Sequence, residues 1–172
     1  MAAQSVFLNG TVGVGKTTTA AALSVLLIDR QVPHAVVDLD ELRRMWPSPP
    51  DDRFHRALSM RNLAALTASY RAAGARRLVL AGVLESHDDV TAVEQAIEGG
   101  ISVIRLVAPG AVVDARLTRR HGYDIDGLAW SLERRGELHA ILDAADLDDH
   151  VVVSDGRPPA LLAEEVLTLL GW

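Results

Sequence analysis

The 172-residue chain has no cysteine, which excludes disulfides, thiolate zinc sites and cysteine nucleophiles. Long apolar runs are missing as well. Each is broken well before the ~18 residues that a membrane span requires, and the start Met1-Ala2-Ala3-Gln4 carries no basic n-region, so neither a span nor a signal peptide is expected. No long block of basic residues occurs and the formal net charge is −6, so the electrostatic footprint of a nucleic-acid binder is absent. A cytoplasmic protein with neither nucleic acid nor membrane as partner is the expectation; oligomeric state cannot be read. The most telling scarcity is lysine. Of 17 basic residues 16 are arginine, and Lys16 stands alone. A coding bias that replaces lysine wherever a solvated cation suffices leaves the one site where a compact ammonium is required and a planar guanidinium does not fit.

What is present is an ordinary globular composition, 49% hydrophobic and 23% charged, enough for one domain with a sizeable core. Short apolar runs at Ser5–Asn9, His34–Asp38, Arg76–Ala81, Ile101–Val107 and Val151–Val153 predict five strands. Helical patterns fall between them: about Lys16 to Arg30, a short one from Asp40, Arg53 to Ala73 closed by Gly74, Asp88 to Glu98, Pro109 to His121, a longer one to about Ala145, and Pro159 to Leu170. Gly122 to Gly127 reads as a polar break, and Leu169 and Trp172 as core-facing. Strand–helix alternation predicts an α/β protein of three layers, αβα, with a five-stranded parallel sheet. Ligands in such sheets bind beyond the carboxyl ends of the strands.

Gly10-Thr11-Val12-Gly13-Val14-Gly15-Lys16-Thr17 matches G-x-x-x-x-G-K-[ST] in full, between a predicted strand and a predicted helix. Such a loop turns backbone N–H groups towards phosphate oxygens, adds the dipole of a helix N-terminus, and supplies a lysine for the β/γ charge and a hydroxyl for Mg²⁺. Gly10, Gly13, Val14, Gly15, Lys16, Thr17 and Thr18 are the expected triphosphate cradle. A single lysine leaves no room for the guanine-reading N-K-x-D, which disfavours a GTPase. The third strand ends in Gly82 rather than in an acid, so the metal partner must lie elsewhere. Asp38 and Asp40, at the end of the second strand, would point the same way if extended and could both address the cleft; the competing reading is that they cap the next helix.

These residues resemble the small-molecule kinases of the P-loop class: adenylylsulfate kinase, gluconate kinase, shikimate kinase and chloramphenicol phosphotransferase. Asp38-Leu39-Asp40-Glu41-Leu42-Arg43 is similar to the adenylylsulfate kinase pattern D-G-D-N-V-R, and the likeness extends through Arg53 and Arg61-Asn62 over about the first half of the chain. The resemblance implies the P-loop NTPase fold with strand order 2-3-1-4-5 and a small helical lid, ATP and Mg²⁺ as cofactors, and a small hydroxylated acceptor. It implies Thr17 and Asp38 at the metal, Asp40 as base or hydroxyl anchor, and Arg43, Arg53, Phe54, Arg61 and the backbone of Gly82 around the acceptor. A mobile lid over about 117–135 would bring Arg116 and Arg120 to the phosphates, with either Arg134 or Arg135 turned inward. The loop Ser154-Asp155-Gly156-Arg157-Pro158-Pro159 resembles the one bordering adenine. The segment after the third strand, Gly82-Val83-Leu84-Glu85, lacks the F-I-S-P of sulfate activation. A nucleoside monophosphate kinase and a non-catalytic ATP-binding regulator are the alternatives.

Overall fold

The computed structural model describes residues 4–172. Five parallel strands, β1 (Ser5–Asn9), β2 (His34–Asp38), β3 (Arg77–Ala81), β4 (Ile101–Val107) and β5 (His150–Val153), form one sheet in the order β2-β3-β1-β4-β5. The central runs of β-branched and aliphatic residues became strands because helices on both faces remove their sides from water, while the edge strand β5 leaves Val151 and Val153 exposed. The central strand β1 is buried throughout and runs in register with β3 on one side (Phe7 opposite Leu80) and β4 on the other (Phe7 opposite Val103).

Seven helices connect the strands: α1 (Lys16–Asp29), α2 (Leu39–Leu42), α3 (Arg56–Ala72), α4 (His87–Ile97), α5 (Gly110–His121), α6 (Ile125–Ala145) and α7 (Pro159–Leu170). α1 and α7 cover one face, where Leu23, Leu27, Val166 and Leu167 meet Val6, Leu8 and Ile104. α3 and α4 cover the other, where Leu63, Val93 and Ile97 meet Phe7, Leu78 and Leu80. The expected three-layer architecture and strand order are therefore found. No described helix is long and apolar enough to cross a membrane.

Three details depart from the sequence reading. The break at Gly122–Gly127 is a turn of only Gly122 to Asp124, because the Asp124 carboxylate accepts from the Gly127 N–H at 3.0 Å and starts α6 at Ile125. α2 begins at Leu39, so Asp38 and Asp40 do not alternate along an extended strand. Leu169 is 38% exposed: the apolar stripe of α7 runs through Leu162, Ala163, Val166, Leu167 and Leu170, and position 169 falls outside it. Trp172 is partly buried against the α1/α7 core.

Candidate active site

The loop from Gly10 to Gly15 leaves β1 at the carboxyl edge of the sheet and delivers the chain into α1. It runs so close to β4 that a Cβ on Gly10 would sit 2.6 Å from the Leu106 carbonyl oxygen. Gly15, at φ 109°, caps α1 in a left-handed conformation with no side-chain cap, and no acid stands in the first turn. The N–H groups at the start of α1 thus lack the side-chain acceptor that usually satisfies them, which is the arrangement that receives an anion. Lys16 folds back over the loop, donating to the carbonyls of Gly10 at 2.8 Å and Thr11 at 3.0 Å. Burial pushes its ammonium down from 10.5 to about 8, against the opposing pull of Asp40 and Asp38.

Asp38 joins this loop to the end of β2. Its Oδ2 accepts from the Thr17 hydroxyl at 2.7 Å while its Oδ1 accepts from the Asp40 N–H at 3.0 Å. It is therefore the N-cap of α2 and a neighbour of Thr17 at once. Asp40 caps nothing; it sits in the first turn of α2, exposed, and its Oδ1 is engaged by Arg43. A hydroxyl and a carboxylate in contact beneath a phosphate-binding loop fit Mg²⁺, which takes one or two protein oxygens and fills its octahedron with phosphate oxygens and water. No cluster of three or more His, Asp or Glu among the described residues offers an all-protein metal cage.

All of this opens into a single cleft of about 2160 Å³, well above the 300–1,000 Å³ that one small ligand fills. Sheet order divides it. On the β4/β5 side of the phosphate loop lie Arg116, Arg119 and Arg120 of α5 and the loop at Gly156–Pro159; on the β3/β2 side lie Asp38, Asp40, Arg43, Arg53, Phe54 and the β3–α4 loop. Arg116 donates to the Val14 carbonyl at 3.0 Å and the Ser154 hydroxyl at 3.2 Å, spanning the phosphate loop and the end of β5. Arg120 lines the cleft and its charge is felt at Lys16. Arg157 lines it too, paired with Asp155 and Glu165. Thr18 lines the cleft floor; Gly10 and Val14 shape the loop from beneath.

Two expected acceptor contacts are displaced. Arg61 lies on α3 outside the cleft lining. Gly82 is buried beneath it, where a Cβ would press on Phe7 at 3.0 Å and Leu39 at 3.2 Å, so its lack of a side chain serves the packing of β1 against α2. Of the two α6 arginines, Arg134 faces the cleft and pairs with Glu85 at 2.5 Å, whereas Arg135 pairs with Asp114 at 3.1 Å, away from it.

The sequence reading missed the residues that fasten these pieces. Asn9 is fully buried; its Oδ1 accepts from the N–H groups of Gly10 and Leu84, and its Nδ2 donates to the Leu84 carbonyl. One amide thereby locks the phosphate loop to the β3–α4 loop, and a polar residue closing an otherwise apolar strand was the signal. Arg56 and Asp89, paired across the cleft wall, carried no such signal. The exposed Trp130 of α6 also lines the cleft.

The fold, with the Gly10–Thr17 loop beside Asp38 and Asp40, is one that solved structures of P-loop kinases share. Solved structures with the same fold include the tunicamycin resistance protein of Deinococcus radiodurans (20% identity, TM-score 0.68, 98% of this chain and 96% of that one). They include the shikimate kinase of Acinetobacter baumannii in complex with shikimate (19%, 0.67, 98% and 93%). The APS kinase of Mycobacterium tuberculosis in complex with AMPPNP and APS also superposes (19%, 0.60, 99% and 99%). No protein-family model matches the chain, and no curated protein sequence matches it.

Proposed function

We propose that this protein is an ATP-dependent kinase that moves the γ-phosphoryl group of ATP onto a hydroxyl of a small molecule. The observation that carries the reading is that Asp38, in contact with Thr17, and Asp40 line the same cleft as Lys16, with room beside the phosphate loop for a second ligand. The likeness in fold to structures described as shikimate, APS and sugar kinases supports it.

In this reading the loop N–H groups and Lys16 hold the β- and γ-phosphates, and Arg116 and Arg120 neutralise charge from the α5 side. Thr17 and Asp38 would hold Mg²⁺, which would supply charge neutralisation for the transferring phosphoryl group. Asp40 orients the acceptor hydroxyl and takes its proton as the oxygen bonds to the γ-phosphorus and the bond to the β–γ bridging oxygen breaks, releasing ADP. A positioned carboxylate in that role contributes about 10²–10⁴ in rate. Arg43, engaged with Asp40, fixes the carboxylate's orientation. The end of α5 and the start of α6, about 117–135, act as the lid, and the Arg157 loop borders the base.

The test is ATP consumption over a panel of hydroxylated metabolites, nucleosides and antibiotics, shikimate, gluconate and tunicamycin among them, by native protein and by Asp40→Asn. Acceptor-dependent ADP formation that falls at least 100-fold in the variant, with ATP binding kept, supports the assignment. Full turnover in Asp40→Asn refutes the role of Asp40. Activity confined to nucleoside monophosphates would favour a phosphate acceptor instead.

A further inference from the structure

The two sides of the cleft differ in how their positive charge is balanced. On the nucleotide side, Arg116 bonds only neutral oxygens, and Arg119 and Arg120 line the cleft with no carboxylate partner among the described residues. That surplus suits a triphosphate. On the β3/β2 side each cation is matched instead: Arg43 by Asp40, Arg56 by Asp89, and Arg134 by both Glu85 and Glu137. Arg53 is the exception, and it is exposed, with its guanidinium 5.6 Å from the Phe54 ring centroid. A site that binds a carboxylate or sulfate ester presents an uncommitted guanidinium for bidentate contact; here Asp89 already contacts Nη2 of Arg56, and Glu85 and Glu137 contact Nη2 and Nη1 of Arg134.

The same side offers apolar surface. The half-buried Met60 and Val83 line it, and the residues Phe54 and Trp130 are 75% and 61% exposed. Exposed aromatic surface lining a cleft marks the place where a ligand's apolar part removes it from water.

Resting on the kinase reading above, we infer that the acceptor is an uncharged hydroxyl compound with an aromatic or aliphatic portion, and that anionic acceptors such as sugar acids are rejected. Asp38, Asp40, Glu41, Glu85 and Asp89 against Arg43, Arg53, Arg56 and Arg134 leave the acceptor half without surplus positive charge, Arg53 included, and Phe54 and Trp130 receive the apolar portion. Glu85 is a specificity-determining residue: it excludes anions by holding Arg134.

Binding is read apart from turnover, by calorimetry on the full chain saturated with magnesium and the non-hydrolysable analogue AMPPNP. The neutral probes are uridine and chloramphenicol; the anionic probes are gluconate and shikimate. At least one neutral probe is expected to bind ten-fold or more tightly than either anion, and Phe54→Ala to weaken that probe at least five-fold. Glu85→Gln is expected to raise gluconate or shikimate affinity at least five-fold while leaving the neutral probe within two-fold. The inference is overturned if either anion binds the native protein as well as the neutral probes do, if neither neutral probe binds, or if Glu85→Gln leaves anion affinity unchanged. An anion bound and phosphorylated would sink this inference with the kinase reading intact, whereas a neutral probe bound and never phosphorylated in the presence of ATP would do the reverse.

Discussion

The Thr17 hydroxyl donates a 2.7 Å hydrogen bond to Oδ2 of Asp38, tying the phosphate loop of the central strand to the end of the edge strand β2. The same carboxylate caps α2 through its other oxygen. Asp38→Asn separates the two duties, since asparagine caps a helix about as well as aspartate but is a far poorer ligand for a hard dication. The variant should melt within about 2 °C of the native protein, by the size of effect that a surface change of ~0.5 kcal/mol has on a domain of this length. Its acceptor-dependent ATP turnover should fall by about 10² or more at 1 mM magnesium and recover in part at higher magnesium.

Lys16 sets a pH dependence of opposite sign for folding and for nucleotide binding. Burial lowers its folded value to about 8 from 10.5, so below pH 8 the ammonium is charged in both states and its burial costs folding about 3 kcal/mol. That cost is relieved as pH rises from about 8 towards 10.5, where the unfolded chain binds more protons than the folded one, so this group adds stability over that window. A bound polyphosphate favours the ammonium. Above pH 8 each nucleotide bound should therefore bring about a proton uptake, and affinity should decline by up to tenfold per pH unit. Calorimetry at pH 8.5 in two buffers of different ionisation enthalpy reads that proton; it should vanish in Lys16→Met.

Asn9 is the small residue on which both walls of the cleft hang. Asn9→Ala removes three buried hydrogen bonds and leaves the Leu84 carbonyl and two N–H groups without that partner. A loss of about 2–3 kcal/mol in urea unfolding is expected, together with weaker ATP binding, because the Gly10 N–H no longer has a fixed acceptor. Asn9→Asp keeps the two accepting contacts and should recover part of both.

The frame of the molecule was legible wherever local chemistry decides. β1, β2 and β4 occupy the residues their apolar runs predicted, because a fully buried strand needs both faces apolar and little else in the chain is. The phosphate loop was legible because its glycines answer to backbone geometry rather than to distant neighbours. What failed to show was pairing across the fold. Nothing near Arg134 in sequence announces Glu85, and nothing near Arg56 announces Asp89; these contacts exist because α6 and α3 reach the β3–α4 loop in three dimensions. The resemblance put Arg43, Arg53 and Arg61 around the acceptor, whereas in the fold Arg43 is paired with Asp40, Arg53 lies over Phe54 and Arg61 lies outside the cleft lining. Gly82 was misread for a related reason: the space it leaves is filled by Phe7 and Leu39.

The central claim is that a loop of main-chain amides and one ammonium grips the triphosphate of ATP. Titration of magnesium-ATP into the native protein and into Lys16→Ala tests it most directly. Magnesium-ATP should occupy one site per chain with micromolar affinity in the native protein and lose at least 100-fold in the variant, the upper end of the ~1.5–3 kcal/mol that a hydrogen bond to a charged group contributes. No association with the native protein, or an affinity unchanged by Lys16→Ala, would contradict it.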